Sequence, residues 1–317
     1  TDLLRGWWYS FNRFGYRSNQ LMYSPQLVTN VYYEKYHDIV VIGDSFSNQL
    51  PYSWTNRIAA YGWSVLLLPV YDSLTPLLTS AEFQRKPPRI VLLAVVERSL
   101  KEQLTSGKPC VKPLTLPPST APTLPTPSPR TALTALVAPP TRALPNIDQI
   151  TYARDFFINS GKTSLGLKPP NLPAYALKAA RFSNTRPRDI LVLPKDLEKR
   201  LLSEAEIQAM RCRLLEYRAQ IEENGYTRFV FMPIPDKLSA YHADLVDSSL
   251  PRSILPKLIQ PEVESPRLDL ALRRAIEEGQ IDIYLPSDTH WGTNGYRVAA
   301  DTLLDYLTKA PKAAGAK

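Results

Sequence analysis

Apolar residues in the first third of the chain come in short unbroken runs rather than in alternation. Asp38–Ile42 (DIVVI), Ser64–Val70 and Ile90–Val96 (IVLLAVV) each have strand length, and β-branched residues dominate the first and last. A continuous apolar run closed by turn residues marks a strand covered on both faces. Residues 54–61 carry helical spacing and stop at Gly62. Strand, helix, strand, helix, strand predicts an α/β fold, a parallel sheet with crossover helices.

The pattern breaks after residue 100. Residues 107–145 are crowded with proline, with serine and threonine between. Proline removes backbone donors and blocks helices, so this stretch reads as an extended excursion. Residues 146–200 are basic and irregular. Residues 101–200 therefore read as one Pro-rich and basic insertion.

Periodicity resumes at Ser203. Ser203 and Glu206 have capping-box spacing. Ile207, Met210, Leu214 and Ile221 form one apolar stripe, and Asn224-Gly225 ends it. Arg228–Met232 predicts another strand. Ser265-Pro266 opens a helix that Gly279 closes, with proline at its first position. Ile281–Tyr284 predicts a last short strand, and Gly295–Leu307 a closing amphipathic helix. This order divides the chain into an aromatic N-terminal segment (1–36), one α/β domain from two pieces (37–100 and 201–317), and the insertion between them. The N-terminal aromatics, Trp7, Trp8 and Tyr9 among them, suit either a carbohydrate-stacking surface or packing over a core edge.

Composition narrows the class. A chain of 317 residues with 44% hydrophobic content can bury a large core without disulfide staples. Cys110 and Cys212 lack the close spacing of a zinc or redox motif, and either pair as one disulfide or stay free. No apolar run approaches the roughly 18 residues of a membrane span. The chain opens at Thr1 with no apolar leader, so an export signal or anchor is not part of this sequence. A net charge of +8 favours anionic partners. No zinc-finger, RNP or basic-helix motif points to nucleic acid.

Two short constellations carry chemistry. Gly43-Asp44-Ser45-Phe46-Ser47 follows the first strand, and parallel sheets place reactive residues at strand C-terminal ends. Ser45 is a candidate nucleophile there. Gly43 allows close approach. The alternative is a plain turn with Ser45 as a cap. Asp288-Thr289-His290-Trp291 follows the last predicted strand. A serine hydroxyl needs a base, histidine is the usual one, and a carboxylate fixes its tautomer. The chain has three histidines. His37 precedes the first strand, at the wrong end, and His242 follows a proline-containing loop, which leaves His290 with Asp288. No metal site is expected.

A strand-one GDS with a late D-x-H-W resembles the SGNH hydrolase superfamily. More narrowly, GDSFS, the strand ending Val95-Val96-Glu97-Arg98-Ser99, Pro233-Ile234-Pro235-Asp236-Lys237 with Tyr241, and DTHWGTNG look like the SGNH-type polysaccharide O-acetyltransferases of the alginate-acetylation group (AlgX/AlgJ-like). The resemblance implies an SGNH-hydrolase-like parallel sheet flanked by helices, with Ser45 as nucleophile, His290 as base and Asp288 as its orienter. The chain departs from the group in order, since D-x-H-W precedes GDSF in the alginate proteins. It also lacks the superfamily's usual oxyanion glycine and asparagine. Arg98 and the Ser45 amide are the replacement candidates; alternatively Arg98 only pairs with Glu97. Lys237, Tyr241 and Trp291 are candidate glycan contacts, although Trp291 also suits a wall of the pocket.

The expected function is acetyl transfer to an exopolysaccharide or other cell-surface glycan through an acetyl-Ser45 intermediate. A carbohydrate O-acetylesterase would use the same triad. A glycan-binding or assembly subunit of a secretion complex is the non-enzymatic alternative. No cofactor is expected. The acetyl donor would come from a membrane acyltransferase partner or an acetyl ester, the acceptor polysaccharide would be anionic if it matches the charge balance, and the location would be periplasmic or otherwise extracytoplasmic.

Overall fold

The apolar runs become the strands of one sheet. The computed structural model describes residues 28–29, 32–47, 53–70, 74–105, 154, 157–159, 161–162, 165, 172–184, 186–286 and 288–308. In chain order the elements begin with β1 (Val28–Thr29), β2 (Ile39–Gly43), α1 (Trp54–Ala60) and β3 (Val65–Pro69). Then come α2 (Leu74–Thr79), α3 (Ala81–Arg85), β4 (Ile90–Val96) and α4 (Leu100–Thr105). A hairpin of β5 (Ala174–Ala176) and β6 (Asp189–Leu191) leads to α5 (Pro194–Leu197), α6 (Glu204–Glu222) and β7 (Arg228–Ile234). The chain continues through α7 (Lys237–Ala240), α8 (Leu255–Leu258), α9 (Leu268–Glu277) and α10 (Thr293–Thr308).

The five-stranded sheet has the order β1–β3–β2–β4–β7, and every neighbouring pair is parallel. Both faces are covered, which explains the unbroken apolar runs: every residue of β2 and β4 is buried. Ile39, Val41, Ile90 and Leu92 face one layer, where Ile58 of α1, Leu272 of α9 and Leu303 of α10 complete the core. Val40, Ile42, Val91 and Leu93 face the other, against Leu104 of α4, Leu214 of α6 and Leu255 of α8. The chain leaves β2 towards β3 and then crosses back to β4 on the opposite side. Such a reversal opens a crevice at the strands' C-terminal ends. Ser45 follows β2 at this point, and Glu97 and Arg98 follow β4.

The helix predicted from Ser203 is α6. Ser203 accepts from the Glu206 amide, and the Glu206 carboxylate accepts from the Ser203 amide. Two expectations need correction. Residues 281–284 are not a strand of the sheet. Asp282 turns left-handed with φ 54°, its carboxylate held by the Ser183 amide at 3.0 Å, and only Tyr284 pairs, in a single antiparallel bridge to Trp291. Pro266 does not open the helix either. Arg267, at φ 54°, is the cap and α9 starts at Leu268.

Parts of the segment read as an insertion join the core. Leu177, Phe182, Ile190 and Val192 pack with the α1, α9 and α10 layer. The Pro-rich stretch 107–145 and the aromatics Trp7, Trp8 and Tyr9 lie outside the described residues; of the later aromatics, Tyr33 is buried in the core and Tyr32 is exposed. Cys212 on α6 is disulfide-bonded, so the free-thiol alternative does not hold for it. Cys110, the only other cysteine, lies outside the described residues. Among the described residues no helix is long and apolar enough to cross a membrane, and no cluster of His, Cys, Asp or Glu could hold a metal ion.

The start of α10 presses against the 283–291 loop. A Cβ on Gly295 would run into the Ile283 carbonyl oxygen and come within 2.8 Å of the Trp291 side chain. Gly295→Ala is expected to cost about 1–3 kcal/mol. Urea denaturation checks it, and an unchanged midpoint would mean that the helix does not sit this close to the loop.

Candidate active site

The turn after β2 presents Ser45 outward. The Ser47 amide donates to the Asp44 carbonyl at 2.8 Å, which closes a tight turn over Asp44–Ser47. The Asp44 side chain anchors it: one oxygen accepts from the Phe46 amide at 3.0 Å and the other from the Val96 amide at 2.7 Å. Burial pushes the Asp44 carboxyl up, and the two amides pull against it. Phe46 is fully buried beside it, while Ser45 is exposed. Gly43 serves the turn by size, since the Ser47 side chain occupies the space a Cβ would need.

The second loop brings His290. His290 Nδ1 lies 2.7 Å from Asp288 Oδ1, which also accepts from the His290 amide at 3.0 Å. His290 Nε2 lies 2.7 Å from Ser45 Oγ, across a sequence separation of 245 residues. With Nδ1–H donated to the carboxylate, Nε2 is the acceptor for the serine proton. The Phe46 ring, 4.9 Å from the imidazole between centroids, packs the two loops together.

The base loop is shaped by Lys237. Its ammonium is fully buried and donates to the carbonyls of Leu285 at 2.8 Å, Pro286 at 2.9 Å and Asp288 at 3.2 Å. Tyr241 is also fully buried, with its hydroxyl accepting from the Tyr284 amide at 3.3 Å. Trp291 packs edge-on against Phe46, Tyr284 and Tyr296. None of the three side chains reaches solvent, so their placement supports the site from beneath rather than touching a glycan.

Arg98 does not pair with Glu97. Its guanidinium donates to Asp196 at 3.4 Å and to the Thr289 hydroxyl at 3.2 Å, and lies 5.6 Å from the centroid of the Phe46 ring. It therefore bridges the nucleophile loop and the base loop. Below it is a buried ionic cluster that sequence reasoning missed. Lys199 donates to both Asp236 oxygens at 2.7 and 2.6 Å and to the Ser239 hydroxyl. Glu97 accepts from the Ile254 amide at 2.6 Å. Asp196 and Lys199 come from the irregular basic stretch, whose sequence carries no periodic signal for burial. The one available clue was Asp236-Lys237, charged residues placed directly at a strand end.

This geometry can be set beside known proteins. Residues 193–317 match the family model described as SGNH hydrolase-like domain, acetyltransferase AlgX. This segment is similar to that domain. No curated protein and no solved structure matches the chain. The AlgX-like segment holds Asp288, His290, Lys237, Asp236 and Lys199, whereas Ser45 and Arg98 come from before it. The strand carrying the GDSF sequence is thus supplied from the N-terminal side and inserted into the same parallel sheet, beside β4.

The cluster makes stability depend on pH. Burial, and then the nearby Asp236 charge, raise Asp196 to about 7; Glu97 is raised by the same two causes. Between the usual carboxylate range near 4 and about 7 the folded protein holds a proton that the unfolded chain has released. Stability therefore falls as pH rises through that window. Asp196→Asn is expected to flatten the slope in thermal unfolding midpoints measured from pH 4 to 8. An equally steep slope in the variant would remove Asp196 as its source.

Proposed function

We propose that the protein is a serine-dependent O-acetyltransferase acting on a glycan. The observation that carries the reading is the hydrogen-bonded line from Ser45 Oγ through His290 to Asp288, 2.7 Å at each step. His290 takes the proton of the Ser45 hydroxyl as Oγ attacks the carbonyl carbon of an acetyl ester. Asp288 holds the imidazole orientation and stabilises the imidazolium. The tetrahedral oxyanion is assigned to the Ser45 amide, because the Phe46 and Ser47 amides donate to Asp44, with the positive charge of Arg98 beside it. Collapse expels the donor's alkoxide, which leaves with the proton from His290, and acetyl-Ser45 remains. A sugar hydroxyl then gives its proton to His290, attacks the acetyl carbonyl and releases Ser45. The AlgX-like match supports acetyl chemistry in general.

The acetyl donor in this reading is an acetyl ester or a membrane acyltransferase partner, and no cofactor takes part. The disulfide at Cys212 supports an extracytoplasmic location, because disulfides persist in oxidising compartments.

Turnover of p-nitrophenyl acetate tests the triad. Ser45→Ala and His290→Ala are each expected to lower kcat by at least about a thousandfold. Supplying an oligosaccharide should then move acetyl onto the sugar, read by mass. Wild-type-like turnover in Ser45→Ala contradicts the nucleophile. Release of acetate alone with every acceptor makes the protein an esterase.

A further inference from the structure

Main-chain oxygens of the His290 loop converge on a single nitrogen. The Leu285 amide donates to the His290 carbonyl at 2.9 Å, which closes the loop on itself. Within that closure the carbonyls of Leu285, Pro286 and Asp288 lie 2.8, 2.9 and 3.2 Å from Lys237 Nζ. Carbonyl oxygens only accept, so the seat they form suits a cation with several donors on one atom. Lys237 is held from its own side as well. It opens α7, where the Asp236 carboxylate accepts from the Ser239 amide at 2.8 Å, and Lys199 fixes that carboxylate in turn. The Phe182 ring lies 5.0 Å from Nζ. Lys237 is fully buried, so it works behind the site and does not touch a substrate.

Asp288 links the ammonium to the imidazole. Its carbonyl accepts from Lys237, and its carboxylate lies 2.7 Å from His290 Nδ1 and accepts from the His290 amide at 3.0 Å. If the carbonyl turns away from Nζ, the peptide between Asp288 and Thr289 rotates. The carboxylate and the imidazole then move relative to Ser45. A misplacement of about 1 Å costs on the order of a hundredfold in rate.

We propose that Lys237 is a positioning residue for the reaction: its ammonium is a tethered cation seated among the carbonyls of the His290 loop, and a free alkylammonium ion fills the same seat when the side chain is removed. This role rests on the serine-nucleophile reading for its rate measurement alone; the place of His290 is measured separately.

The test uses Lys237→Ala, which removes a group of the size of n-propylamine. The rate is that of Ser45 labelling by a fluorophosphonate, which needs no acyl acceptor. The place of His290 is read from its ring ¹⁵N signals, assigned by their loss in His290→Ala. The variant is expected to lower the maximal labelling rate about a hundredfold, leave the half-saturating probe concentration unchanged and move the His290 signals. Millimolar n-propylammonium should restore both readouts saturably. Propanol should restore neither, and n-propylammonium should leave the wild type unaltered. Wild-type labelling or unmoved His290 signals in folded Lys237→Ala would overturn the proposal, as would failure of n-propylammonium to restore either readout. If Lys237→Ala does not fold, Lys237→Arg decides. A guanidinium keeps the charge but spreads its donors over three nitrogens in a plane, so slower labelling and moved His290 signals are expected. Wild-type values of both in folded Lys237→Arg would again overturn the proposal. A wild-type protein that the probe does not label removes the serine-nucleophile reading, and the His290 signals then decide the role of Lys237 alone.

Discussion

A single buried ammonium, that of Lys237, holds the shape on which the site depends. Its three N–H groups meet three carbonyls of one loop, those of Leu285, Pro286 and Asp288. A charge removed from water this completely is tolerated only when every donor is satisfied, and here every donor is. The loop it organises has almost no regular structure, one bridge between Tyr284 and Trp291. Without the ammonium the carbonyls would have to turn to other donors, and Asp288 and His290 would turn with them. The neighbouring Asp236 works in the opposite direction, binding Lys199 from the stretch after β6. Two adjacent residues at the end of β7 thus draw two separate loops onto the sheet's C-terminal edge.

Ser45 reaches His290 because the sheet is parallel and the winding of the chain reverses at β2. The Asp44 carboxylate ties the turn after β2 to the amide of Val96 in β4, and Arg98, one turn further on, meets Thr289 of the base loop. Phe46 lies between Arg98, His290 and Trp291. The hydrogen-bonded line of Ser45, His290 and Asp288 therefore has aromatic packing and ionic groups beside it. Those ionic groups do not balance cleanly. Glu97, Asp196 and Asp236 share two cations, Arg98 and Lys199, and burial discourages the surplus negative charge. The raised carboxyls of Glu97 and Asp196 follow from that imbalance.

The pattern of apolar runs was enough to locate β2, β3, β4 and β7, because doubly covered strands leave a signal that needs no partner to be read. The capping box of α6 was equally local. Ser45, Asp288 and His290 stand out in the sequence because a serine, a histidine and a carboxylate at strand ends suit the proposed triad, and the structure brings them within hydrogen-bond distance. Residues 281–284 suggest a strand because four apolar or short residues look alike in a strand and in a loop pinned from outside. In the sequence Lys237 and Tyr241 resemble glycan contacts because polar residues beside a site suggest a ligand; in the structure they bond backbone groups about 45 residues away, which no local pattern reports. Asp196, Lys199 and Glu97 make the same kind of long-range polar contact.

In the proposed reaction Ser45 carries the acetyl group between donor and acceptor. Rapid acid quench of the protein during turnover of p-nitrophenyl acetate, followed by peptide mass measurement, tests it most directly. One added acetyl group is expected on the peptide containing Ser45, lost again when a sugar acceptor is supplied before the quench. Steady turnover with acetyl on another residue, or on none, would contradict it.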